Sequence, residues 1–137
     1  MGLAERRRIS AIKETIPTFQ QEFQSVTGLQ VPIDFDVTSI PEDSGVLDGY
    51  DYYKDSLFPL VTRVFQSIAG DDLGKEAVNE KIKSIKMVNV STDGNTPGTK
   101  DLLLNSDGEL LIKYGITYYS GDVWSEDTLK EKIENML

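Results

Sequence analysis

The chain contains no histidine and no cysteine. Without cysteine there can be no disulfide, zinc ribbon, iron–sulfur cluster or thiol nucleophile. Without histidine the commonest general base is missing, and with it the Ser-His and Cys-His machines and the commonest metal ligand. Long apolar runs are also absent: nothing approaches the roughly 18–20 residues that span a bilayer. No charged-then-apolar leader opens the chain. A soluble protein is expected, in the cytoplasm by preference, with export after removal of a leader as the alternative. Basic residues are scarce, 14 against 23 acids, for a formal charge of −9. That balance argues against general nucleic-acid binding, which draws its affinity from Lys and Arg on phosphates. It suits solubility, or a basic partner.

What is present is enough for one domain. A chain of 137 residues falls in the usual single-domain range and can bury about 68–70% of its unfolded surface. Ile9, Ile12, Ile16, Phe19, Phe23 and Val26 recur at helical spacing and predict a first helix that ends at Gly28. Pro17 should kink it. The stripe reads as a core face, but it also suits a homodimer seam through Ile9, Ile12 and Ile16. Arg6, Arg7 and Arg8 oppose the helix dipole, so residues 1–8 are expected to fray or to continue an upstream helix.

Leu29, Val31, Ile33, Phe35 and Val37 alternate with polar residues, which predicts an edge strand carrying Pro32. Residues 39–49, with Pro41, Gly45 and Gly49, read as a loop. A second helix is expected from about Tyr53 to Ala69. A short third follows, capped by Asp71 or Asp72, with Leu73, Ala77, Val78 and Ile82 inward. Ile85–Val90 reads as a central strand. Leu102–Leu104 and Leu110–Ile112 flank Asn105-Ser106-Asp107-Gly108 as a hairpin with a primed Asp-Gly turn. Tyr114–Tyr119 is expected to extend its second arm, with Gly115 as a bulge or bend. Ser125 caps a last helix, with Trp124 stapled onto Leu129. The order α-β-α-α-β-β-β-α implies an α+β domain: a four-stranded, mostly antiparallel sheet with helices packed on one face.

No motif supplies chemistry. Phosphate loops, dinucleotide fingerprints and nucleophile elbows are absent. Counting an EF-hand from Asp48 puts tyrosine at the third and fifth positions, so the motif fails. No cofactor or metal is expected. Asp34 and Asp36 share a strand face about 7 Å apart, the one carboxylate pair that suggests a small carbohydrate-active or carbohydrate-binding domain. Lys75, Lys81, Lys83 and Lys86 form a basic cluster opposite in sign to the preceding segment, which could orient a partner or support self-association.

The most unusual stretch is Asp48-Gly49-Tyr50-Asp51-Tyr52-Tyr53-Lys54-Asp55. Three of the six tyrosines fall here, and residues 34–55 carry seven acids against one base. Tyrosine gives broad amphipathic contact area and is enriched at interface centres. Ringed by carboxylates it suits a basic protein surface. Asp48, Tyr50, Asp51, Tyr52 and Asp55 are therefore the candidate contacts of a non-catalytic protein-binding domain. The competing reading makes the tyrosines core and the acids a solvated loop. In composition the chain resembles toxin-neutralising immunity proteins, which set aromatic and acidic side chains against a basic enzyme site. The resemblance implies a protein partner and no particular residues.

Overall fold

The computed structural model describes residues 2–117 and 121–137, with all their side chains except those of Tyr53 and Lys54. Tyr118 and Tyr119, expected in the last strand, lie outside the described residues.

Helix α1 spans Leu3–Thr27 and runs through Pro17. It ends at Gly28, whose φ of 70° supplies the left-handed cap that glycine adopts without strain. Ile12, Ile16, Phe19 and Phe23 are buried. Most of the stripe, Ile12 and Ile16 included, is thus core of its own chain, with Ile9 partly buried at its edge. At the N-terminus the helix is formed from Leu3 onward.

From Leu29 to Phe35 burial alternates strictly, but only Ile33–Phe35, strand β1, pairs with a neighbour. One 3₁₀ turn follows, Val37–Ser39, capped by the Asp36 side chain on the Thr38 N–H. Helix α2 covers Ser44–Ile68, eight or nine residues earlier than its apolar stripe predicted. Asp43 caps it, accepting from Gly45 and Val46 N–H at 2.9 and 3.2 Å. The glycines that suggested a loop serve close packing instead. A Cβ on Gly45 would stand 2.7 Å from the Gly94 Cα, and one on Gly49 would stand 2.6 Å from Ile116 Cγ2. Helix α3 is Asp72–Lys81, capped by Asp71. Val78 is buried beneath it, but Leu73, expected inward, is 79% exposed. Helix α4 is Glu126–Glu134, with Ser125 as its N-cap.

Strands β2 (Ser84–Asn89), β3 (Asp101–Leu104), β4 (Glu109–Ile116) and the two-residue β5 (Gly121–Asp122) complete a five-stranded sheet. The order is β1-β2-β4-β3, with β5 also on β4. The fold is α+β, but the sheet is mixed rather than mostly antiparallel. β1 with β2, and β2 with β4, are parallel; β3 and β5 pair antiparallel with β4. The β3–β4 hairpin forms as expected, with a different turn. Gly108, at φ 87°, is its only positive-φ residue. A primed turn needs a second one. The Gly108 N–H bonds the Asn105 carbonyl and the Asn105 N–H bonds the Glu109 carbonyl, which leaves a three-residue loop closed by a glycine bulge.

One sheet face is buried and carries Ile33, Phe35, Ile85, Met87, Leu110, Ile112 and Tyr114. Against it lie α1, α2 and α4. Phe35 is the centre of this layer, with ring centroids 5.7 Å from Tyr50, 5.7 Å from Phe58 and 6.2 Å from Tyr114. Phe58 in turn stacks on Phe19 at 4.6 Å. Such pairs add about 0.5–1.5 kcal/mol each beyond area burial. The opposite face, with Asp34, Lys86, Val88, Leu103, Leu111 and Lys113, is half to fully exposed. Among the described residues no helix is long and apolar enough to cross a membrane.

Two features of this core have measurable consequences. Tyr50 and Tyr114 are fully buried; their hydroxyls interact with each other, and among the described residues neither makes a hydrogen bond of normal geometry. Burial pushes both phenols well above their ordinary pKa, so both stay neutral. An unsatisfied buried hydroxyl costs about 1–3 kcal/mol. Tyr114→Phe is therefore expected to raise the urea midpoint, by about 1 kcal/mol of stability; a loss of similar size would mean that the hydroxyl is bonded in solution. Gly115 is the second feature. A Cβ there would lie 1.5 Å from the Pro97 carbonyl oxygen and 2.5 Å from its carbon. Both are backbone atoms that cannot swing aside. Gly115→Ala is expected to destabilise by about 2–3 kcal/mol or more, read as a lowered melting temperature. A neutral result would show that the 90–100 connection does not cross β4 at this point.

Candidate functional site

Because α2 starts at Ser44, the tyrosine-acid segment lies on a helix and not in a loop. Helical geometry then sorts its residues. Val46, Leu47 and Tyr50 face the core and are 0% exposed. Tyr50 is thus a correction: it packs on Phe35 and Tyr114 and is not a surface contact. Residues two apart on a helix point about 200° apart, so Tyr52 points outward, 76% exposed. Asp48, Tyr52 and Asp55, spaced four and three, share one outer ridge. Asp51 flanks it.

Two of these acids are already partnered. The Arg8 guanidinium, reaching across from α1, donates one nitrogen to Asp48 and to Asp51, the latter at 2.7 Å. Desolvation works against the arginine charge, but the hydrogen bonds to Asp51 and Asp48, with their negative charges, outweigh it and hold its pKa above the ordinary value. The Asp48 and Asp51 side chains remain 44% and 50% exposed, so each keeps an outer lone pair for a second donor. Asp55 is exposed and has no partner among the described residues. Its backbone carbonyl is unusual as well. In an unbroken helix it would accept from residue 59, but that residue is Pro59, which has no N–H.

Three other acids of residues 34–55 serve the backbone. Asp34 accepts from the Phe35 N–H at 2.8 Å, Asp36 caps the 3₁₀ turn, and Asp43 caps α2. Asp34 and Asp36 do line a groove of about 540 Å³ between α1 and β1, beside Lys13 and Lys86. Each carboxylate is committed to a neighbouring amide there. Asn89, the first residue of a glycosylation-like triplet, is buried, with its amide on the Ser39 and Ser91 carbonyls. Among the described residues no group of three or more acids could hold a metal ion.

Compared with protein-family models, curated proteins and solved structures, the chain matches none.

The Arg8 clamp ties α1 to the first turns of α2. Exposed ion pairs are worth about 0–1 kcal/mol, but losing this one also leaves two carboxylates one turn apart unneutralised. Arg8→Met is expected to cost about 1 kcal/mol in low salt and less at 0.5 M salt, measured by urea unfolding. A cost that does not change with salt would assign the role of Arg8 to packing.

Proposed function

We propose that this is a non-catalytic binding domain whose outer α2 ridge docks on a basic protein surface. The contacts are Tyr52, Asp55 and the free edges of Asp48 and Asp51. The observation that carries this reading is the placement of Tyr52. A tyrosine 76% exposed at the centre of a helix ridge bears carboxylates on both sides. Large exposed aromatics are rare on surfaces that meet only water and frequent at interface centres.

The chemistry of the partner follows from the acceptors. Asp55 offers a carboxylate and an undercommitted carbonyl, and Asp48 and Asp51 offer outer lone pairs. An arginine-rich surface supplies planar donors for these and a guanidinium face for the Tyr52 ring. A chain of −9 would also speed encounter with such a partner. Inhibition of a basic enzyme, in the manner of an immunity protein, is one form of this role.

The test places a photo-crosslinking residue at position 52 in the native host, with a second at Leu73 as a control exposed site. Expected is one dominant adduct at position 52, on an Arg/Lys-rich surface of the partner, absent at position 73 and lost in Asp55→Lys. Tyr52→Ala should stay within about 0.5 kcal/mol of the parent in stability. Adducts of equal pattern at both positions, or attachment to a neutral or acidic surface, would overturn the reading.

A further inference from the structure

The two outer strands of the sheet are finished differently, and we infer from this that β3 is a second docking site, for an extended acidic peptide segment of a partner taken up as an added strand.

The argument starts from which backbone groups face outward. On β1, the Pro32 carbonyl accepts from Ile85 and the Asp36 N–H donates to Met87. The groups of Ile33 and Phe35 therefore face away from the sheet. One outward group of each is covered: Gln20 Nε2 donates to the Ile33 carbonyl at 2.8 Å, and the Phe35 N–H is held by Asp34 at 2.8 Å. This edge is partly closed to another strand.

On β3 the phase is set by the Asn105–Glu109 hydrogen bond. Register then makes Leu103–Leu111 and Asp101–Lys113 the hydrogen-bonded pairs. Leu102 and Leu104 turn their backbone groups outward. Among the described residues, only the Leu102 N–H is covered, by its neighbour Asp101 at 2.8 Å. The Leu104 N–H and C=O have no partner among them and form a pair of the kind that an antiparallel strand takes up, and the Leu102 carbonyl adds a third site.

Beside this edge runs a groove of about 380 Å³ between β3 and α4, with Leu102 and Met136 on its apolar walls. Trp124 closes it, its indole N–H fixed on the Lys113 carbonyl at 3.0 Å. The Lys100 and Lys132 ammonium groups stand 5.5 and 5.8 Å from the centre of the Trp124 ring. Lys100 shares its charge with Asp122 at 3.2 Å; Lys132 has no acidic partner among the described residues. Asp101 also lines the groove, but its carboxylate is held by the Leu102 N–H, so Lys132 is the unpaired cation beside the open edge. An added strand about 4.8 Å from β3 would lay alternate side chains into the groove, an apolar one against Leu102 and Met136 and an acidic one toward Lys132. None of these residues belongs to the α2 ridge, so the two sites stand or fall separately.

Trp124 is the only tryptophan, and its emission reports directly on this groove. The probe is an end-capped eight-residue peptide of alternating Val and Glu, titrated into the full chain. Expected is a saturable change in emission, with no such change for the alternating Val and Lys peptide. Lys132→Glu should weaken binding at least fivefold. Leu104→Pro, which removes the outward N–H but no ladder bond, should weaken it at least tenfold. If Leu104→Pro does not fold, a Val-Glu peptide N-methylated at alternate residues tests the same point and should also bind at least tenfold more weakly. Equal response to the Val-Lys peptide, or full affinity of the N-methylated one, would overturn the proposal. So would pairing of two copies through β3, seen as a concentration-dependent change in emission and in light scattering without peptide.

Discussion

The architecture turns on one crossing. The chain leaves β2, passes over the far end of β4 and comes down as β3 on the outer side. At the crossing the Pro97 carbonyl rests where a Cβ of residue 115 would be. Only glycine leaves room. Because β3 is thereby carried beyond β4, β4 occupies the place beside β2, and the hairpin forces it to run parallel to β2. The same step makes β3 the outer strand. Had the connection been a simple hairpin, β3 would lie against β2 and β4 would be the edge. The open edge and the lysine-lined groove beside it are both consequences of that one close approach.

The charge pattern takes on a different meaning in the fold. Residues 34–55 are the most acidic stretch of the sequence, and acidity at that density suggests a surface built for a partner. Yet most of these acids are engaged within the chain. Asp34 covers an edge amide, Asp36 and Asp43 start helical turns, and Asp48 with Asp51 holds Arg8. Short acidic side chains are favoured for each of these jobs, because they reach backbone donors one to three residues away. Local capping therefore accounts for more of the cluster than recognition does. The same device recurs on the other edge, where Asp101 covers Leu102.

What was legible in the sequence was what local signals decide. The α1 stripe with its Gly28 stop, the Ser125 cap of α4, and the β3–β4 hairpin depend on residues within a few positions of one another. The start of α2 was not legible. Asp43-Ser44-Gly45-Val46 holds a capping signal, but Gly45 and Gly49 read as breakers. Their reason lies in distant segments, the backbone at Gly94 and the end of β4 at Ile116 and Thr117. Sequence alone cannot tell a glycine that turns the chain from one that lets two chains touch. Gly115 is a similar case: its sequence context suggests a bulge or bend, and in the fold it is a point of crossing. The error at α2 carried over to the site, because a loop imposes no facing on Tyr50 and Tyr52 whereas a helix imposes opposite ones.

That facing also decides how much the exposure of Tyr52 means. The core fixes the rotation of α2: Val46, Leu47 and Tyr50 on one side, then Leu57, Phe58 and Val61. Position 52 must therefore point outward whatever residue stands there, and its exposure alone is no sign of function. The identity of the residue is a separate matter. By helix propensity and solubility alone, a lysine or glutamate would serve that position better. Tyr50 differs in kind, since its ring fills space against Phe35 and Tyr114 and its identity follows from packing. Of the two tyrosines, packing accounts for the ring at position 50, whereas the ring at position 52 stands mostly in solvent.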